Sequence, residues 1–196
     1  TVPATGKPVT VAACGIGAPA WAIALTELHA CGARRFVRVG TVLSPSLPLG
    51  TVALARSALR YDRVSEDYLP LHVPVLPDPR LTASLRIALE QRGAPVEEVL
   101  FASFSTFYGE MEPLFDGQAP AATASFQQAR FHDALALGAR AVDMETAAVL
   151  AFARCFGAMA ASACLCTVAG NGGPILDGAD RQRLEEILID GVFRAL

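Results

Sequence analysis

The chain has 196 residues, 53% of them apolar and 18% charged, and its 16 basic against 19 acidic residues leave a net charge of −3. That size and apolar share fit a single domain over residues 1–196 with a sizeable core, and predict that some apolar surface meets a second subunit. The even charge balance argues against a nucleic-acid partner, and no apolar run is long enough to span a membrane or act as a signal peptide, so a cytoplasmic protein is expected.

Val9 to Cys14 is a short apolar run that predicts a strand, closed by Gly15-Ile16-Gly17. A helix is predicted from about Pro19 to Ala30, with Gly32 punctuating its end. Phe36 to Val39 predicts the next strand and completes a strand–helix–strand unit, whose crossover should be right-handed. Thr51 to Leu59 reads as further strand, and Val64 to Pro79, rich in proline, as an irregular excursion. Leu81 to Gln91 is helical and Val99 to Phe104 a strand. Phe107 to Pro120 is a long loop carrying Gly109, Pro113, Gly117 and Pro120. Then come a helix over Ala124 to Leu137, a strand over Ala141 to Asp143, a helix over Thr146 to Phe156 and a long strand over Met159 to Val168. A Gly170–Pro174 loop leads into a last helix from about Asp180 to Ala195, with Asp180 as N-cap. Strands alternating with helices predict an α/β fold, a three-layer αβα sandwich on a mixed, largely parallel sheet.

Five cysteines, an odd number scattered through apolar runs, predict a reduced chain without a disulfide framework. Cys164 and Cys166 alternate in one strand and share a face, where buried core thiols are a better reading than a metal pair. His29, His72 and His132 have no ligand-like spacing, so no metal is expected.

Ligands of open α/β sheets bind beyond the carboxyl ends of the strands. Four segments fall there: Gly15–Gly17, Arg38–Thr41, Ser105–Tyr108 and Asp143–Glu145. A guanidinium such as that of Arg38 holds an oxyanion through paired donors, and the Thr41 hydroxyl can add a third; on local sequence alone a surface arginine paired with an acid fits as well. Asp143 and Glu145 surround Met144 at a strand-to-helix corner, where they can grip sugar hydroxyls or simply cap the helix. Met144 offers a soft wall for a sugar or ordinary core filling. Phe107-Tyr108 can stack on a heterocyclic base or pin the long loop to the core.

In order and separation, Gly15-Ile-Gly-Ala-Pro19, Glu27-Leu28 before Gly32-Ala33, Arg38-Val-Gly-Thr41, Tyr68-Leu-Pro-Leu-His-Val-Pro74, Thr106-Phe-Tyr108 and Asp143-Met-Glu-Thr-Ala-Ala148 resemble the nucleoside phosphorylase family, specifically its uridine phosphorylase branch, from about Gly6 to Leu196. The resemblance implies a three-layer αβα fold with a distorted mixed sheet, and a homodimer or hexamer. It implies transfer of a nucleoside's ribose from base to phosphate, with inorganic phosphate as co-substrate and no cofactor. Carried over by position, Arg38 and Thr41 contact phosphate, and Thr41, Asp143, Met144 and Glu145 surround the ribose. Phe107 lies against the base, and Arg38 and Glu145 carry the catalysis.

The chain departs from the family pattern in four places. The glycine-aspartate-proline phosphate loop has no counterpart. Leu43 stands where a glycine lines the ligand, Met111 and Pro113 replace a base-reading glutamine and arginine, and a later base-contacting arginine aligns near Gly170. Two alternatives therefore stay open: a nucleoside hydrolase that uses water, and a non-catalytic nucleoside-binding or assembly member of the family.

Overall fold

In the computed structural model, which describes residues 8–107, 121–170 and 172–196, strands and helices alternate along the chain. They are α1 (Ala18–Ala30), β1 (Arg35–Ser44), β2 (Val52–Tyr61), α2 (Val64–Tyr68), α3 (Pro79–Gln91), β3 (Val96–Phe104), α4 (Ala121–Ala136), β4 (Ala139–Asp143), α5 (Thr146–Cys155), β5 (Met159–Ala169) and α6 (Gly178–Ala195).

The sheet is mixed, as expected. β1 runs parallel to β5, β2 to β3 and β3 to β4, which leaves β1·β4 and β2·β5 antiparallel. In the order β1-β4-β3-β2-β5 it closes on itself as a barrel, whereas the sandwich expectation has an open sheet. The seams are short: β1 meets β4 only at Leu43↔Val142, and β2 meets β5 over Val52–Leu54.

Three apolar clusters pack on this sheet. Leu25 of α1 and Leu150 and Phe152 of α5 fill one with Phe36 and Phe101. Leu81, Leu85 and Leu89 of α3 join Leu188 and Val192 of α6 in a second. Gly191 of α6 sits so close to Leu89 that an added Cβ would lie 2.6 Å from it, so a side chain there would push the two helices apart. Phe131 and Ala134 of α4 cover Phe104 and Val142 in the third.

α5 is the central helix. Thr146 to Ala153 are all buried, and from Ala147 onward every one is apolar, as a stretch with no solvent face requires. This packing fixes the β4–α5 corner, Asp143-Met144-Glu145, against the middle of β1. Gly32, just beyond α1, has φ 99°, the left-handed conformation expected of a helix-ending glycine.

Several expectations need correction. Residues 8–14 are not a strand: Val11 is 77% exposed, and no ladder among the described residues includes them. A strand exists only through its neighbours, so the expected strand–helix–strand unit lacks its first strand. The Val64–Pro79 excursion contains the short helix α2, whose Ser65 and Leu69 carbonyls accept from Arg60 of β2. The N-cap of α6 is Asp177, not Asp180, which lies in the first turn. Leu43 is buried in the α4 cluster with Phe104 and Phe131. Tyr108, Met111 and Pro113 lie outside the described residues.

Candidate active site

The strand β1 carries Arg38 at its centre, opposite Ser162 of β5. The guanidinium folds back over its own strand. A Cβ built on Gly40 would lie 3.2–3.3 Å from it, so this glycine is needed for close approach, not for an unusual backbone angle. Arg38 is only 5% exposed, which overturns the surface-arginine alternative.

Its charge is met by both acids of the β4–α5 corner. Arg38 Nη1 lies 3.2 Å from Asp143 Oδ2, and Arg38 Nη2 donates to Glu145 Oε2. Arg38 Nη1 also donates to the Cys164 sulfur, and the Trp21 ring lies 5.9 Å from the guanidinium carbon. Burial opposes the guanidinium charge, yet Cys164, Asp143 and Glu145 together hold its pKa above the ordinary arginine value. Burial pushes the Cys164 thiol up to about 11 despite the neighbouring guanidinium, which pulls the other way.

The acids differ in their bonding. Glu145 is the N-cap residue of α5 by position, but its side chain caps nothing. Its Oε1 instead accepts from the Gly17 amide at 2.7 Å, tying the corner to the glycine turn before α1. Asp143 takes the capping role: Oδ2 accepts from the Thr146 amide at 3.2 Å and from the Thr146 hydroxyl, while Oδ1 accepts from Ser103 at 2.5 Å. The Ser103 hydroxyl in turn accepts from the Ala147 amide at 2.9 Å, and Thr146 reaches Ser162 at 2.8 Å.

The sequence reading gave no site role to Ser103, Thr146, Ser162 or Cys164, the last expected only as a buried core thiol. The signal was present: a hydroxyl inside an otherwise apolar buried strand must find a partner there. Among the residues it did single out, Arg38, Asp143 and Glu145 come together. Met144 is partly buried, its terminal methyl 3.9 Å from the position a Cβ on Gly17 would take. Thr41 is exposed and lies outside this hydrogen-bonded group, three residues beyond Arg38 and so on the other side of the pleat. Phe107 is 46% exposed at the edge of the described residues.

A guanidinium with two acids at 5–7% exposure is expensive to maintain, because desolvation of three charges offsets most of their attraction. Such groups are over-represented at functional sites. A cavity of about 350 Å³ under residues 71–75 contains none of these side chains, and Arg60, its cationic neighbour, is occupied holding backbone carbonyls. Among the described residues no group of histidine, cysteine, aspartate and glutamate side chains could hold a metal, and no helix is long and apolar enough to cross a membrane.

Comparison with known proteins agrees with the family resemblance. The chain is 32% identical to a uridine phosphorylase of Thermococcus kodakarensis over 85% of its own length and 59% of the relative's. It is 37% identical to the Escherichia coli uridine phosphorylase over 55% and 43%, and 30% identical to a guanosine phosphorylase of Halorubrum lacusprofundi over 85% and 62%. The chain thus spans less than two thirds of the length of these relatives. A family model described as the phosphorylase superfamily matches residues 1–188, and the chain belongs to that superfamily.

Proposed function

We propose that the chain carries out phosphate-dependent cleavage of the N-glycosidic bond of a nucleoside, giving free base and ribose 1-phosphate. The observation that carries this reading is the buried pair of Arg38 with Glu145, itself tied to Gly17 and flanked by Met144. A guanidinium and a hydroxyl-accepting carboxylate side by side are what joining phosphate to ribose demands.

In this reading Arg38 binds phosphate and aims one of its oxygens at the anomeric carbon, while the Thr41 contact implied by the resemblance drops out because Thr41 lies on the opposite face of β1. Glu145 grips the ribose hydroxyls, Met144 packs under the sugar, Asp143 flanks it and Phe107 lies against the base. As the bond from anomeric carbon to base nitrogen breaks, its electron pair leaves with the base, which is protonated from solvent. The phosphate oxygen forms the new bond, and the sugar's transient positive charge lies beside the carboxylates. No cofactor takes part. The relatives' names include both uridine and guanosine, so the base is left open.

The same reading includes a single domain over 1–196, a three-layer αβα arrangement, a homodimer or hexamer, and the cytoplasm as its place. The layering is supported by α1 and α5 packing in one cluster and α3 and α6 in another. Association is supported by the exposed apolar side chains of Val11, Ile16 and Ile23.

The test is incubation of the purified chain with a panel of nucleosides, with and without phosphate. Base and ribose 1-phosphate are expected with phosphate. Free ribose in both arms would replace the phosphorylase by a hydrolase. No release, together with no nucleoside or phosphate binding by calorimetry, would leave only a non-catalytic role.

A further inference from the structure

Asp143 and Glu145 share a corner and a cation, yet only one of them has capacity to spare. A carboxylate offers about four acceptor sites. Asp143 accepts from the Ser103 hydroxyl and from the Thr146 amide and hydroxyl, pairs with Arg38 at 3.2 Å, and has a side chain only 1% exposed. Glu145 has two partners, the Gly17 amide and Arg38 Nη2, leaving room for sugar hydroxyls.

The guanidinium is divided in the same way. Nη1 pairs with Asp143 at 3.2 Å and donates to the Cys164 sulfur, Nη2 donates to Glu145, and the buried Nε has no partner. Nε and Nη2 form one edge of the planar group, the edge that grips an oxyanion through two parallel bonds. Release of Nη2 by Glu145 therefore completes that edge in one step.

We propose that Asp143 is a positioning residue that holds Arg38 through Nη1, anchored by Ser103 and Thr146, while Glu145 exchanges Nη2 for the ribose hydroxyls and so opens the Nε–Nη2 edge to phosphate. This rests on the ribosyl-transfer reading and moves Asp143 from sugar contact to arginine support. It makes the two ligands cooperative: each removes one partner of the Arg38–Glu145 pair, so each eases binding of the other.

The experiment compares wild type, Asp143→Asn, Glu145→Gln and Ser103→Ala with a ribonucleoside and its 2′-deoxy counterpart, at varied phosphate, per folded molecule. Glu145→Gln is expected to erase discrimination between the two sugars. Asp143→Asn should keep that discrimination within about twofold while kcat falls about tenfold or more and the KM for phosphate rises. Ser103→Ala should show the same split in smaller measure, and serves alone if Asp143→Asn does not fold. The phosphate KM is decisive because simple loss of a negative charge near an anion would lower it. Equal loss of discrimination in Asp143→Asn, a lowered phosphate KM, or no change at all would each overturn the assignment. A wild-type chain without turnover fells the underlying reading and this inference together; an active wild type without the split fells this inference alone.

Discussion

Arg38 and Arg60 both turn their guanidinium groups inward, toward opposite kinds of partner. Arg60 donates to the carbonyls of Ser65 at 2.5 Å, Pro70 at 2.7 Å, Val73 at 3.2 Å and Leu69, and to the Ser65 hydroxyl at 3.1 Å. These are neutral acceptors strung along one stretch of backbone, and the result is a clamp that fixes α2 and the turn after it. Arg38 meets two carboxylates from a single corner and keeps one donor unused. Backbone carbonyls cannot leave without unfolding the segment, whereas a glutamate side chain can rotate away. The first arrangement suits a fastening, the second an exchange.

The largest effect should come from Arg38→Met. It removes the cation and leaves Asp143 and Glu145 buried without compensation, a loss of about 3–5 kcal/mol. Denaturant unfolding measures it; a loss below about 1 kcal/mol would mean that the acids find water and that the closed cluster is wrongly drawn. Arg60→Met should cost less, about 2–3 kcal/mol, because its partners are uncharged carbonyls that regain water once their short segment frays. Its signature is local: amide exchange should quicken over residues 65–73 and leave β1 and α5 protected. Uniform acceleration would contradict a local clamp.

The contrast between the two arginines was only half legible in the sequence. Arg38-Val-Gly-Thr41 and Asp143-Met-Glu145 stood out because they place an oxyanion-holding cation and two sugar-gripping carboxylates within apolar runs, although the strand carrying Arg38 runs on to Ser44 and leaves Arg38 near its centre. Their meeting depended on α5 packing against β1 from a distance of a hundred residues, which no local pattern encodes. Arg60 carried no signal, since its acceptors are carbonyls and carbonyls have no side-chain identity. The strand ladder was read well where apolar runs were long, as in β5, and misread at Val9 to Cys14, where the run is apolar but nothing pairs with it. Closure of the sheet was invisible for a similar reason: it rests on Leu43↔Val142 and on three residues of β2 against β5.

Gly40→Ala sharpens the comparison at lower cost. Its new methyl would press on the Arg38 guanidinium at 3.2–3.3 Å, and overpacking of this kind costs about 1–2 kcal/mol. Because the neighbour is the end of a side chain, relief should come by displacing Arg38, so phosphate binding should weaken more than stability falls. An unchanged phosphate affinity would show that the guanidinium does not lie over Gly40.

The smallest effect concerns the thiol beside Arg38. Burial raises Cys164 and Cys166 from the ordinary thiol value of 9.0 to about 11. A group whose folded pKa is raised adds stability below its unfolded pKa and loses it as pH climbs to the folded one. Stability should therefore decline between about pH 9 and pH 11, and Cys164→Ala should flatten part of that slope. At pH 8 in the folded chain, a thiol reagent should modify the exposed Cys31 and Cys155 and spare Cys164 and Cys166 until denaturant is added. Arg38 is what makes this informative. A guanidinium beside a sulfur ordinarily lowers its pKa, so protection of Cys164 requires that burial prevail and that both carboxylates keep the cation engaged. Rapid labelling of Cys164 in the folded protein would show the cluster open to solvent, and Arg38 would then differ from Arg60 in exposure rather than in the exchangeability of its partners.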